Sequence, residues 1–139
     1  MIQIIAGQKG KGKTKYLIEK ANEAEKKSKG SIVYLDKNHK HMYELNNRIR
    51  LINVLEYPIE SSNDLLGFIC GILSEDHDID IIFLDSFLTL SGLGQKELTP
   101  TLNKLELISK EFDVNFVLSI SKDKEEFPLD YVSNIIVSL

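Results

Sequence analysis

Short apolar runs alternate along this chain with segments in which apolar residues recur every three or four positions. Runs of mainly apolar residues that are bounded by Gly, Pro, Asp or Ser predict β-strands. On this basis we predict strands at residues 2–6, 31–36, 51–55, 79–85, 114–120 and 134–137.

Amphipathic helices are predicted where apolar residues repeat at helical spacing. One helix carries Leu17, Ala21 and Ala24, a second carries Leu65, Ile69 and Ile72, and a third carries Leu98, Leu102, Leu105, Ile108 and Phe112. Lys29-Gly30 ends the first helix, residues 61–64 cap the second, and Thr99 with Pro100 caps the third. We also predict a short helix at 37–47 and a helical or turn segment at 125–131.

Continuous apolar strands that alternate with amphipathic helices are typical of a parallel sheet buried on both faces. We therefore predict one domain, residues 1–139, with a three-layer α/β fold: a mostly parallel sheet of five or six strands with helices on both faces. Ligands of such folds bind at the carboxyl ends of the strands. That rim should carry the loop after Ala6, then Asp36 and Asp85, and finally Ser119 and Ser121.

Residues 7–14, Gly-Gln-Lys-Gly-Lys-Gly-Lys-Thr, fit the phosphate-binding pattern G-x-x-x-x-G-K-[ST]; we call them the glycine loop. In this pattern backbone N–H groups surround the phosphates, the lysine contacts the β and γ oxygens, and the hydroxyl residue binds Mg²⁺. Glycines suit a loop that bends round an anion before a helix whose N-terminus faces that anion. The predicted nucleotide-binding residues are Gly7, Gln8, Lys9, Gly10, Lys11, Gly12, Lys13, Thr14 and Lys15.

A carboxylate ends the most apolar predicted strand. The run Ile81-Ile82-Phe83-Leu84-Asp85 is the pattern that places an Asp beside the Mg²⁺ of a glycine loop, usually through a water. Many buried strands end in Asp at a turn, but together with the glycine loop this one indicates function. Thr14 and Asp85 are therefore the predicted metal-binding residues, and Lys13 and Asp85 are predicted to be catalytic.

Composition narrows the class of partner. The 139 residues carry a net charge of −4, and only Arg48 and Arg50 of the 17 basic residues are arginine. An acidic chain argues against unaided nucleic-acid binding.

The single cysteine, Cys70, lies in an apolar helical pattern, which favours a buried thiol in a reducing cytosol. Without a leader pattern or a membrane-length apolar run, we expect a soluble cytoplasmic protein.

The two motifs together resemble the Walker A and Walker B elements of P-loop NTPases. The pair Asp85-Ser86 is similar to the RecA and KaiC-like branch, in which Ser commonly follows the Walker B Asp. The resemblance in strand and helix order covers nearly the whole chain, whereas only the two short motifs are specific. It implies a sheet in the order 5-1-4-3-2 with the strand at 51–55 added at the edge, and ATP or ADP with Mg²⁺ as ligands. The chain also resembles small stand-alone proteins described only as ATP-binding.

One departure from this family bears on hydrolysis. RecA-like ATPases carry, near the end of strand two, a Glu two residues after an Asp, and this Glu orients the attacking water. The corresponding stretch here is Asp36-Lys37-Asn38, and Ser86 follows Asp85 where many related ATPases have Glu. Because Asn cannot accept a proton, fast hydrolysis is not expected from Asn38. Asp36 and Glu56 are the candidates for a substitute base.

Other polar residues carry weaker signals. His39 and His41 could face a metal, but alternate positions on a polar segment favour a solvated surface. Ser119 and Ser121 match the place of a polar γ-phosphate sensor in RecA-like proteins, or else they belong to a strand-end turn. The long connection at 86–99 is either a mobile binding or oligomer loop or an ordinary packed loop.

Three functions stay open at this point. The first is a slow ATPase or ATP-driven switch, and the second is a module that holds ATP or ADP without turnover. The third is a small-molecule kinase or adenosyltransferase-type enzyme, and a kinase would need arginines to clamp the phosphoryl group. A GTPase is disfavoured because residues 85–88 lack the Gly of D-x-x-G and residues 121–124 do not fit N-K-x-D. The expected partners are a nucleotide and either further copies of the chain or an unidentified protein, but no membrane.

Overall fold

In a computed structural model of the chain, strands from both ends of the sequence form one six-stranded parallel sheet. The structure describes residues 1–94 and 96–139. The strands are β1 (Ile2–Ala6), β2 (Ser31–Asp36), β3 (Arg50–Asn53), β4 (Ile79–Leu84), β5 (Asn115–Ile120) and β6 (Ile135–Ser138), and their order is β3-β2-β4-β5-β1-β6. With β3 set aside at the edge and the others renumbered, this is the expected order 5-1-4-3-2.

Three longer and two short helices connect these strands. They are α1 (Lys13–Lys27), α2 (Ser62–Glu75), α3 (Phe87–Leu90), α4 (Thr99–Phe112) and α5 (Leu129–Val132). Single 3₁₀ turns lie at Val54–Glu56 and Lys124–Glu126. Over the part of the chain that the structure describes, no helix has both the length and the apolar character needed to cross a membrane.

The alternation of side chains along the strands divides the core between the two faces of the sheet. On one face strand residues such as Ile4, Leu84 and Leu118 pack against Leu65 and Leu102 of α2 and α4. On the other face Ile5, Phe83 and Val117 pack against Leu17 and Ala21 of α1. The sheet therefore has helices on both faces, as the sequence predicted.

Helix ends agree with the prediction at α2 and differ at α4. The Ser61 hydroxyl accepts a hydrogen bond from the Asp64 N–H at 3.1 Å and caps α2. In contrast, α4 has Leu98 at the capping position, and Thr99 is already its first residue. The predicted apolar stripe of α4 also ends early: Leu98, Leu102 and Leu105 are buried, but Phe112, beside the left-handed Asp113 that ends the helix, is exposed.

The short helix predicted at 37–47 is wrong, because this segment is a series of turns. Asn38 Oδ1 accepts the Lys40 N–H at 2.9 Å, and such local side-chain bonds compete with helical ones. Leu45 is buried against the core on the α1 side and holds the segment there. The strand predicted at 51–55 likewise ends at Asn53, because the Asn53 side chain accepts the Leu55 N–H and begins a 3₁₀ turn.

Two further expectations are modified. Cys70, predicted to be buried, is only partly buried on the side of α2. The connection at 86–99 contains the short helix α3, and its residue Gln95 lies outside the described residues.

Gly30 is required for the close approach of the α1–β2 connection to the turn before β4. A Cβ atom at Gly30 would lie 2.3 Å from the carbonyl oxygen of Asp78, which also accepts the Ser31 N–H at 2.8 Å. We predict that Gly30→Ala lowers the free energy of unfolding in urea by about 1–3 kcal/mol, because the backbone must shift. The control Gly67→Ala, on the exposed side of α2 with nothing within 4 Å of the new Cβ, should raise it by up to about 1 kcal/mol. An unchanged Gly30→Ala variant would contradict the packing of this turn.

Candidate functional site

The glycine loop has the backbone conformation that its sequence predicts. Gly10 and Gly12 have φ of +86° and +91°, in the left-handed region that favours glycine. A Cβ at either position would meet nothing within 4 Å, so the conformation and not the space explains these glycines. Gly12 directly precedes α1, a helix of 15 residues, so the loop leads into a helix N-terminus whose first N–H groups lack helical partners.

The start of the loop is tied to the connection between β5 and β6. The Gly7 N–H donates to the Lys122 carbonyl at 2.9 Å. The Gln8 side-chain amide donates to Asp123 Oδ2 at 3.1 Å and to Glu126 Oε1 at 3.0 Å. In the described contacts the Gln8 side chain therefore anchors the loop.

Lys13 is the first residue of α1, directly after the glycine loop, and is only 8% exposed. Its Nζ donates one hydrogen bond, at 3.0 Å, to the Gln8 carbonyl, which closes the loop over the ammonium group. Burial lowers the pKa of Lys13, and the charge of Asp85 opposes that shift. Since an ammonium group has three N–H donors, Lys13 retains donors for an anion seated in the loop.

Asp85 follows β4 directly and accepts hydrogen bonds from three hydroxyl groups. Thr14 Oγ1 donates to Oδ1 at 3.2 Å, Ser119 Oγ donates to the same oxygen at 2.9 Å, and Tyr34 donates to Oδ2 at 3.0 Å. Burial and the Asp85 charge both raise the pKa of Tyr34, so the phenol remains a donor. The structure thus brings together Thr14 and Asp85, the two predicted metal-binding residues.

Ser119 is an interior residue of β5 and links Asp85 to the chain that follows it. Its hydroxyl accepts the Ser86 N–H at 2.8 Å while donating to Asp85. Ser86 has φ of +58°, a left-handed conformation that costs a non-glycine residue about 1–2 kcal/mol. Ser119 therefore lies within β5 and not in a turn, whereas its role as a γ-phosphate sensor stays a prediction.

Asp36 ends β2, beside Asp85, and is 2% exposed. Its Oδ1 accepts the Lys37 N–H at 2.7 Å, whereas Oδ2 is buried and has no hydrogen-bond partner among the described residues. Burial, and then the Asp85 charge, raise the pKa of Asp36. The two carboxylates at neighbouring strand ends therefore have different environments.

A cleft of about 460 Å³ opens beside the loop, a volume within the range of small-molecule sites. It is lined by Lys9, Gly10, Gly12, Lys13, Thr14, Lys37, Ser86, Leu88, Thr89 and Ser121. Three of these described residues are lysines and none is a carboxylate, so the cleft suits an anionic ligand. Four of the predicted nucleotide-binding residues, Gly7, Gln8, Lys11 and Lys15, are not part of this lining.

His39 and His41 lie on the polar segment that follows β2. Glu56, the other candidate for a substitute base, lies in the 3₁₀ turn after β3. His39 Nε2 is 3.0 Å from Glu56 Oε1, and His41 Nδ1 is 2.9 Å from Glu44 Oε1. Each of these two histidines thus contacts its own glutamate. Residues 1–94 and 96–139 contain no group of three or more His, Cys, Asp or Glu side chains arranged to hold a metal ion.

Both arginines lie at the opposite end of the sheet from the cleft. Arg48 Nη1 is 3.7 Å from Oε1 of Glu25, a residue near the end of α1. Arg50 is the first residue of β3 and forms an ion pair with Asp76. Within one copy of the chain, neither arginine is placed beside the glycine loop.

Tyr34 and Lys37 are site residues that the sequence analysis missed. A signal for Tyr34 was present, because it lies two positions before Asp36 and therefore on the same face of β2. Lys37 directly follows the strand-end Asp36, on the predicted ligand rim. Neither Tyr34 nor Lys37 belongs to one of the two motifs, so only their position relative to Asp36 could have indicated them.

The chain matches no family model and no curated protein sequence.

The environment of Asp36 predicts a pH-dependent gain in stability for Asp36→Asn. Because this carboxyl group has a higher pKa in the folded chain than in the unfolded chain, its cost to stability is absent below the unfolded pKa and complete above the folded pKa. At pH 7 we expect Asp36→Asn to raise stability by about 1 kcal/mol, or roughly 3–5 °C in Tm for a chain of this size. The gain should shrink as the pH falls towards 4, as measured by thermal unfolding across pH.

Asp130→Asn is the matched control, since Asp130 is exposed on α5. It should change Tm little at any pH. A gain for Asp36→Asn that did not depend on pH would contradict the charge explanation.

Proposed function

We propose that this protein binds ATP or ADP with Mg²⁺ at the glycine loop and acts as a slow ATPase or nucleotide-dependent switch. The observation that carries the proposal is the 3.2 Å hydrogen bond between Thr14 and Asp85. It joins the residue that follows the loop lysine to the carboxylate at the end of β4, the two groups that hold Mg²⁺ in phosphoryl-transfer sites of this kind.

The donor set fits Mg²⁺. Hydroxyl and carboxylate oxygens are the hard ligands that this cation prefers. Thr14 gives its single hydroxyl hydrogen to Asp85 and keeps its oxygen lone pairs for a cation. When bound, Mg²⁺ would neutralise charge on the β- and γ-phosphates.

The surroundings of the loop support a polyphosphate as the ligand. Lys13 lies under the loop, and Lys9 and Lys37 line the cleft from two different elements. Charge-assisted hydrogen bonds from lysine to phosphate oxygens are stronger than neutral ones. The choice of adenine over guanine rests on the family resemblance and on the missing guanine-type motifs in 85–88 and 121–124.

Slow turnover is supported by what surrounds the cleft. None of its described lining residues is a carboxylate, and Asp36 is buried outside that lining. The Asn38 side chain accepts a hydrogen bond from the Lys40 N–H, and the Glu56 carboxylate is in hydrogen-bond contact with the His39 ring. The same arrangement supports a second candidate, a module that binds nucleotide without hydrolysing it.

A switch would act through the chain that follows Asp85. Leu88 and Thr89 of α3 line the cleft, and α3 begins immediately after the left-handed Ser86. A ligand in the cleft would therefore contact both the glycine loop and α3. A nucleotide that contacts α3 better in one conformation than in another would shift the equilibrium between the two conformations.

Lys13→Ala tests the binding site. Removing a charged donor to phosphate should weaken ATP and ADP affinity about 10- to 100-fold, measured by titration with a fluorescent analogue and competition by the unlabelled nucleotide. The control Lys26→Ala removes an exposed lysine from the far end of α1 and should bind like the wild type. If the wild type binds no nucleotide, or if Lys13→Ala binds equally well, the proposed site is wrong.

Phosphate release over hours separates the two candidates. With saturating ATP and Mg²⁺ we expect stoichiometric binding and turnover of about 10⁻³ s⁻¹ or less, the range of glycine-loop proteins without a complete catalytic set. Turnover that Lys13→Ala abolishes would support the ATPase, whereas tight binding with no release would support the module. Turnover above roughly 1 s⁻¹, an ordinary enzymatic rate, would contradict both.

A further inference from the structure

Tyr34 is a rigidly held donor to the carboxylate of Asp85. Its side chain is fully buried at 0% exposure, and its hydroxyl lies 3.0 Å from Asp85 Oδ2. Its ring stacks on Phe83, its partner across the β2–β4 pairing, with centroids 6.1 Å apart and planes at 17°. The sheet therefore fixes the point at which the hydroxyl meets Asp85.

The two oxygens of Asp85 are held from different sides. Thr14 and Ser119 donate to Oδ1, whereas Tyr34 is the donor to Oδ2 in the described contacts. Without the Tyr34 hydroxyl, Oδ2 would be buried with no hydrogen-bond donor among the described contacts. The carboxylate would then be held through Oδ1 alone and could rotate more freely. Donors that orient a metal-binding carboxylate commonly set the affinity of the site for its metal.

We propose that Tyr34 is a positioning residue for the divalent cation, holding Asp85 in the orientation in which it acts together with Thr14. The inference rests on the proposed function, because the cation is the one that accompanies the nucleotide. Tyr34 does not line the cleft, so it acts through Asp85 and not by contact with the nucleotide.

Tyr34→Phe tests this proposal because it removes one oxygen atom and keeps the ring on Phe83. Nucleotide affinity is measured by fluorescence titration in EDTA and then across a series of Mg²⁺ concentrations. We expect the Mg²⁺ concentration for half-maximal effect to rise about 10- to 100-fold, while affinity in EDTA changes less than about twofold.

Tyr131→Phe is the matched control, since Tyr131 donates to Asn103 at 2.6 Å and does not line the cleft. It should leave both affinities unchanged. Ser119→Ala is a second test variant: it removes a donor to the other oxygen of Asp85 and should also weaken the response to Mg²⁺. Thermal unfolding of each variant verifies that it is folded.

The outcomes separate the inference from the function beneath it. If Tyr34→Phe is less stable but responds to Mg²⁺ like the wild type, Tyr34 is only a core residue and the inference is overturned, while nucleotide binding stands. If the wild type binds nucleotide with no response to Mg²⁺, the cation part of the proposed function fails together with the inference. If the wild type binds no nucleotide, both fail.

Discussion

The Asp85 carboxylate is the point at which three elements of this fold are joined. It accepts hydroxyl hydrogen bonds from Thr14 at the start of α1, from Tyr34 on β2 and from Ser119 on β5. A carboxylate that is 3% exposed requires such donors, since burying it without them would be costly. The network fixes the helix that follows the glycine loop against the carboxyl end of the sheet. Through Ser119 it also supports the left-handed Ser86 and hence the position of α3.

Asp36 and Asp85 show how neighbouring strand ends can give one residue type two environments. β2 and β4 are adjacent, and Leu35 pairs with Leu84, so the two carboxylates come next to each other. Both oxygens of Asp85 accept hydrogen bonds, whereas Asp36 keeps one buried oxygen without a partner among the described residues. An unsatisfied buried oxygen beside a like charge is destabilising. Asp36 is therefore expected to lower the stability of the fold, so stability does not explain why an aspartate occupies this position.

Charge is segregated within a chain whose net charge is −4. The described lining of the cleft contains three lysines and no carboxylate. Arg48 and Arg50 are at the opposite end of the sheet and pair with Glu25 and Asp76. Attraction for an anion is therefore local to the glycine loop, and the overall composition, which is acidic, gives no indication of it.

The sequence by itself determined the alternation of strands and helices, the glycine loop and its rim partner Asp85, because periodicity and glycine spacing are local and the rule that ligands bind at the carboxyl ends of parallel strands is general. The strand order was predicted only through the resemblance of the two motifs to a known family, and the tertiary structure shows that order. Only the tertiary structure decided the turns at 37–47, where side-chain bonds to the backbone and burial of Leu45 outweigh helix propensity. It also decided that Tyr34 meets Asp85, 51 residues away, and that Lys37 reaches the cleft. Such contacts depend on which strand ends become neighbours and on how their side chains pack, and no short pattern in the chain encodes either.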